Sequence, residues 1–144
     1  MTVSALDSPV LSSLLGDAEV AGYFAVEADI RAMLDFESAL ARAQGAVGLI
    51  PAEAAADIAA VCDRFSPDLA SLADGAAQDG VVAPALVKLL RAKVGPPHDS
   101  HVHRGATSQD VIDTSLILRL KPVLNLFETR LRALIRLRPV LVNT

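Results

Sequence analysis

The sequence predicts an all-α protein, on three observations. Alanine, leucine, valine and isoleucine supply most of a hydrophobic fraction of 52%, while aromatic residues make up only 3%. Alanine has the best helix propensity, and sheets draw on branched and aromatic residues together. Apolar side chains recur at helical spacing through most of the chain. Glycine and proline then punctuate these stretches at Gly48, Gly80 and Gly95-Pro96-Pro97. With 144 residues the chain has the length of one ordinary domain.

Taken in order, Ser8 to Phe24 reads as two short helical pieces. Leu11, Leu14 and Leu15 share a face, Gly16 interrupts, and Asp17 caps a second piece with Val20, Tyr23 and Phe24. From Val26 to Gly48 a long helix is marked by Val26, Ile30, Met33, Leu34, Leu40 and Val47, with Gly48 as its stop. Pro51 and Glu53 open a helix to about Phe65, striped by Ile58, Val61 and Cys62. Ser66-Pro67-Asp68 opens a shorter one through Leu72 and Ala76, which Gly80 breaks. Val82 to Val94 carries Leu86, Leu89, Leu90 and Val94 on one face. Its Lys88, Arg91 and Lys93 lie toward the C-terminal end, where the helix dipole favours cations.

Gly95-Pro96-Pro97 stops that helix, and His98 to Gly105 is read as a loop. From Thr107 a last helix has apolar residues around most of its circumference, from Val111 to Leu134, and is expected to be buried on several sides in a bundle or an oligomer. Pro122 is expected to kink it and Pro139 to stop it. The expected organisation is a helical domain over residues 1–104, followed by a loop and central-helix segment over 105–144.

Charge and cysteine content narrow the function classes. A net charge of −4 with so few aromatics argues against nucleic-acid binding, which wants a basic surface and stacking rings. The charge is uneven: residues 1–103 hold 6 basic and 14 acidic groups, and residues 104–144 hold 7 basic and 3 acidic. That leaves either a basic helix solvated on one side, or a positive surface facing an anionic ligand or an acidic neighbour. Cys62 is the single cysteine, so no intrachain disulfide forms and a reducing cytoplasm fits; a buried, inert thiol is its expected role. Met1 to Val10 lacks the pattern of a signal peptide, and no uncharged stretch approaches the ~18 residues of a membrane span. The expectation is a soluble, cytoplasmic protein with no membrane partner.

One segment carries chemistry. All three histidines, His98, His101 and His103, fall within six residues. With Asp99 they could be metal ligands, but the spacing fits no common zinc pattern, so no metal is expected. Thr107 and Asp110 have the spacing of an N-terminal helix cap. Gly105 would let a ligand approach the backbone. Thr107 and Ser108 place two hydroxyls beside amide groups at the positive end of a helix, where a carboxylate is well held. A histidine and an arginine on the approach, His103 and Arg104, add charge and a route for protons.

The run His103-Arg104-Gly105-Ala106-Thr107-Ser108-Gln109-Asp110, continuing Val111-Ile112-Asp113-Thr114, closely resembles the first signature region of the fumarase/aspartase superfamily. Gly48-Leu49-Ile50-Pro51 and Val87-Lys88-Leu89-Leu90 agree with the pattern upstream, and the likeness fades after about Arg136. Within the superfamily the likeness is greatest to the branch that interconverts 3-carboxy-cis,cis-muconate and 4-carboxymuconolactone in protocatechuate breakdown.

The resemblance implies an all-helical, cofactor-free, cytoplasmic homotetramer acting on a small polycarboxylate, its central bundle shared and each active site built from three subunits. It implies His103 as the catalytic residue, with Thr107, Ser108 and Gln109 holding substrate. Relatives commonly carry an aromatic where Arg104 stands. Arg104 therefore either pairs with a substrate carboxylate or is a surface side chain. The superfamily's second and third signature regions, the latter bearing the serine base, do not occur before Thr144, so this chain alone is expected to be inactive. The alternatives are an adenylosuccinate-lyase-like or other superfamily lyase, and a non-enzymatic helical interaction module.

Overall fold

The structure, a computed structural model, describes residue 8, the backbone of residues 10–142 and side chains as far as residue 137. The expectation for Met1 to Val10 lies largely outside the described residues. Among those described, every regular element is helical. They are α1 (Ser12–Leu15), α2 (Ala18–Tyr23), α3 (Val26–Ala46), α4 (Ala52–Arg64), α5 (Leu69–Asp79) and α6 (Ala83–Val94). A 3₁₀ turn (Asp99–His101) and α7 (Ser108–Val142) follow. None is long and apolar enough to cross a membrane.

The helix ends follow from the expected signals. Asp17 caps α2 by accepting from the Val20 amide, and Asp68 caps α5 by accepting from the Ser71 amide. Gly80 closes α5 in the left-handed conformation, at φ 75°, which a residue with a Cβ adopts only at a cost. Two expectations are corrected. The segment His98 to Gly105 contains the 3₁₀ turn, and α7 continues through Pro139 to Val142. Proline deletes one N–H and crowds one carbonyl a turn earlier. A long helix can absorb that loss locally while the ladder on either side persists.

The chain forms two compact units, residues 30–116 and a smaller unit of residues 1–29 with 117–144. The larger unit runs past residue 104 to include the loop and the first turns of α7, and the 3₁₀ turn in that loop packs on α4 and α6. In the larger unit, α6 packs on both α4 and α5. Leu34, Ile58, Cys62, Leu86, Leu90, Val102 and Val111 are fully buried at its centre. Small residues let the helices close in: a Cβ added to Gly75 would lie 2.4 Å from the Cβ of Ala85, and one on Gly45 would lie 2.6 Å from that of Ala55.

In the smaller unit the acidic start of the chain meets the basic end. Arg130 binds both Asp17 and Glu19, and Arg119 pairs with Asp29 at 2.8 Å. The Arg119 guanidinium also lies over the ring of Phe24, 5.8 Å from its centroid, a cation–π contact. The Arg130 guanidinium, with the Val20 amide, holds the Asp17 carboxyl below the usual carboxylate range. The uneven charge of the sequence thus resolves, in this unit, into pairing within the chain.

The burial expected on several sides of α7 is not met within the chain. Val111, Ser115 and Val123 are buried, while Ile117, Leu124, Phe127, Leu131 and Leu134 are exposed. With half-buried Leu120, these exposed positions repeat at alternating spacings of three and four residues, the pattern of a coiled-coil seam.

Substituting the two kinds of helical glycine should move stability in opposite directions. Gly75→Ala should destabilise by about 1–3 kcal/mol through overpacking against Ala85, despite the better helix former. Gly22→Ala, with nothing within 4 Å of the new methyl, should stabilise by up to about 1 kcal/mol. Paired thermal melts check both signs. Burial pushes the Cys62 thiol up to about 12, with Glu37 adding to the shift. The thiol should therefore resist iodoacetamide at neutral pH until the chain unfolds, which mass spectrometry across a denaturant series would follow.

Candidate active site

Three side chains from the helices hold the segment between α6 and α7. Arg91 Nη2 donates to the Val102 carbonyl at 3.0 Å, and Gln44 Nε2 donates to the Arg104 carbonyl at 2.6 Å. Between these anchors, His103 Nδ1 lies 2.6 Å from Glu37 Oε1. The Val102 side chain is fully buried. His103 itself has φ 58°, a left-handed backbone uncommon for any residue with a Cβ. Such a conformation persists where its surroundings over-determine it, as the two flanking carbonyl bonds and the imidazole contact do here.

Glu37 is the least expected member. Its side chain is 1% exposed, in α3, with Met33, Leu34 and Ala41 buried beside it on the same helix. One carboxyl oxygen meets His103; the other, Oε2, has no hydrogen-bond partner, and neither has Gln44 Oε1. An imidazole held at Nδ1 by a buried carboxyl is fixed in orientation and presents its other nitrogen, Nε2, on the opposite side of the ring.

The start of α7 is a closed cap. Thr107 N and Oγ1 both donate to Asp110 Oδ2 at 2.8 Å, and the Asp110 amide donates to Thr107 Oγ1 at 3.3 Å. The Thr107 bonds hold the Asp110 carboxyl below the usual carboxylate range, the backbone amide contributing most. The Thr107 hydroxyl is therefore engaged at the cap, next to the Ser108 side chain.

A cavity of about 370 Å³ opens between α6 and this turn, lined by Pro84, Val87, Lys88, Arg91, His103 and Ser108. It joins two cations, an imidazole and a hydroxyl, a set that suits a carboxylate ligand and proton transfer. A larger groove of about 460 Å³ along α3 and α4 is lined mainly by alanines and offers no comparable chemistry.

Of the residues singled out from sequence, His103 and Ser108 come together at the smaller cavity. Thr107 is committed to the cap beside it. Gln109 bonds to Asp113 one turn on, and the exposed Arg104 side chain reaches His101 at 3.5 Å. His98 pairs instead with Asp57 of α4 at 2.6 Å, so the three histidines have separate partners. Among the described residues no group of three histidine, cysteine or acidic side chains is placed to hold a metal ion.

Sequence reading missed Glu37, Lys88 and Arg91 as site residues. A signal existed for Glu37: it stands in the helical stripe Ile30, Met33, Leu34, Ala41, where a charged residue is out of place. Lys88 and Arg91, three residues apart on the helix leading to the loop, were legible only as cations at a helix C-terminus.

No family model matches the chain. Among curated proteins it is similar to 3-carboxy-cis,cis-muconate cycloisomerase of Bradyrhizobium diazoefficiens, 39% identical over 132 residues, covering 90% of this chain and 29% of the relative. It is also similar to the enzyme of that name from Pseudomonas putida, 45% identical over 71% of this chain and 25% of the relative. An adenylosuccinate lyase of Methanothermobacter thermautotrophicus is 33% identical over 81% of this chain and 26% of its own length.

Among solved structures, the 3-carboxy-cis,cis-muconate lactonizing enzyme of Pseudomonas putida superposes with a TM-score of 0.76 at 38% identity, covering 85% of this chain and 28% of that one. The chain spans under a third of the length of these relatives. Fold and sequence agree over that span, and the chain belongs to the fumarase/aspartase superfamily.

Proposed function

We propose that the chain is the part of a 3-carboxy-cis,cis-muconate cycloisomerase that binds a substrate carboxylate and supplies one proton-handling group. The observation that carries this reading is the cavity in which His103 and Ser108 face Lys88 and Arg91. The substrate is a tricarboxylate. In lactonisation one carboxylate oxygen bonds to the β carbon of an unsaturated acid, the double-bond electron pair moves to the α carbon, and a proton is delivered there. The reverse is a β-elimination, in which the α proton is removed and the carboxylate oxygen departs. Both directions pass through an enolate-like state, stabilised by cations and hydrogen-bond donors around the second carboxylate.

In this reading Lys88, Arg91 and the Ser108 hydroxyl hold that carboxylate. His103 is the catalytic group contributed by this segment. Thr107 shapes the turn through its cap, Gln109 completes the substrate-binding turn, and Arg104 reaches a further carboxylate. The enzyme acts in the cytoplasm as a homotetramer on a small polycarboxylate, without nucleic-acid or membrane partners and without a cofactor. The exposed seam on α7 supports self-association. Relatives named cycloisomerase reach 45% identity against 33% for the adenylosuccinate lyase, which favours the muconate substrate over the nucleotide one.

The test is a chimera, this chain joined in frame to the remainder of the Pseudomonas putida relative. It should convert 3-carboxy-cis,cis-muconate to lactone, whereas the 144 residues alone should not. Ser108→Ala in the chimera should lower kcat/KM roughly ten- to hundredfold, the loss of one hydrogen bond to a charged group. A chimera that cleaves adenylosuccinate but leaves carboxymuconate untouched would remove the cycloisomerase reading. On its own the chain should scatter light as an oligomer through the α7 seam; a strictly monomeric mass would count against the bundle.

A further inference from the structure

The geometry points to Glu37 as a positioning residue: its buried carboxylate holds His103 in the Nδ1–H tautomer, so that Nε2 is the nitrogen that exchanges protons at the cavity. The use of Nε2 in catalysis rests on the reading of His103 given above; the tautomer itself does not.

Four observations carry it. The contact is short, 2.6 Å from His103 Nδ1 to Glu37 Oε1, and only one proton can lie between the two atoms. Glu37 is almost wholly buried, and its second oxygen has no partner, so His103 is the one hydrogen-bond partner of this carboxyl among the described residues. Imidazole nitrogen is a stronger base than a carboxylate oxygen, which places the shared proton on the ring and leaves the Glu37 oxygen as acceptor. The loop is anchored on both sides of His103, through the Val102 and Arg104 carbonyls, so the backbone that carries the ring is held in place beside Glu37.

The charged and titratable groups around the pair are few. Glu37 comes from α3, and Cys62 of α4 is close enough for Glu37 to raise its pKa. Lys88 and Arg91 of α6 line the cavity with the ring. Asp110 of α7 is near enough for His103 to lower its pKa. Neither cation of α6 can accept a proton from Nδ1, which leaves Glu37 as the acceptor in direct contact.

This arrangement makes the ring directional. With Nδ1 committed to Glu37, a neutral His103 carries its lone pair on Nε2 and can take a proton there. The resulting imidazolium is balanced by the carboxylate behind it and can return the proton by the same nitrogen. Lys88 and Arg91 counter the charge of the substrate carboxylate, whereas Glu37 counters the charge of the ring. Free histidine favours the Nε2–H form, so without Glu37 the cavity would meet a donor where it now meets an acceptor.

Long-range ¹H–¹⁵N correlation spectra of the ¹⁵N-labelled chain read this directly, with His103 assigned by loss of its signals in His103→Gln. As pH is raised until the ring is neutral, Nε2 should lose its proton and Nδ1 should keep it. Loss from Nδ1 instead overturns the proposal, with no variant or activity required. Glu37→Met, close in volume and without an acceptor, should return the neutral ring to the Nε2–H form. If that variant does not fold, the wild-type spectrum still decides.

In the chimera, Glu37→Met should lower kcat at least about tenfold with KM little changed, the loss not exceeding the roughly 10²–10⁴-fold that a general acid–base group contributes. An unchanged kcat would mean that the tautomer, though fixed, is not used. A chimera inactive toward carboxymuconate would overturn the functional reading while leaving the tautomer result standing.

Discussion

A carboxyl group shut away from water needs a donor, and in this chain the contact between Glu37 and His103 meets that need. The rest of the site is arranged around the consequence. To bring Nδ1 to a side chain in the middle of α3, residue 103 adopts a left-handed backbone. That backbone turns the chain between Val102, whose side chain is fully buried, and Gly105, whose positive φ costs nothing. The neighbouring carbonyls then fall where Arg91 and Gln44 can reach them. Removing the carboxyl would cost more than one hydrogen bond, because the strain at residue 103 and the two carbonyl anchors are mutually dependent.

The same sharing of partners holds the segment rigid while keeping charge and a hydroxyl at the cavity. Arg91 binds the Val102 carbonyl and also lines the cavity, so the group that fixes the loop contributes its charge beside the imidazole. Thr107 uses its hydroxyl for the cap, which secures the first turn of α7 and with it the position of Ser108. A binding turn whose amides and hydroxyls were all free would suit an anion electrostatically but would have little to hold its shape. Here the reciprocal Thr107–Asp110 bonds supply the shape and leave the neighbouring Ser108 hydroxyl at the cavity.

The sequence disclosed the helices because their signals are local. Asp17, Asp68, Gly80 and Gly95 sit where caps and stops require them, and the apolar spacing between them is unambiguous. Pro139 misled because a local rule was applied to a long helix, where one missing N–H is a minor loss. Of the site, His103 and Ser108 were legible through the signature run, since neighbouring residues on a turn stay neighbours in space.

Glu37 lies 66 residues from its partner. Only its place in an apolar stripe hinted at burial, and no pattern within α3 names the residue that faces it. Lys88 and Arg91 were read as ordinary helix-end cations for the same reason. Their role depends on where the following loop folds back, which is a property of the packed unit.

The uneven charge of the chain shows how far a compositional signal can be taken. Read alone, an acidic first part and a basic end leave open a solvated helix, a ligand surface or an acidic neighbour. The ion pairs Arg130 with Asp17 and Glu19, and Arg119 with Asp29, place much of that neighbour within the chain itself. The cations that line the cavity come instead from α6, within the acidic part of the sequence. Net charge over a hundred residues therefore says little about the sign of a site; two cations three residues apart, brought beside a histidine by one loop, decide it.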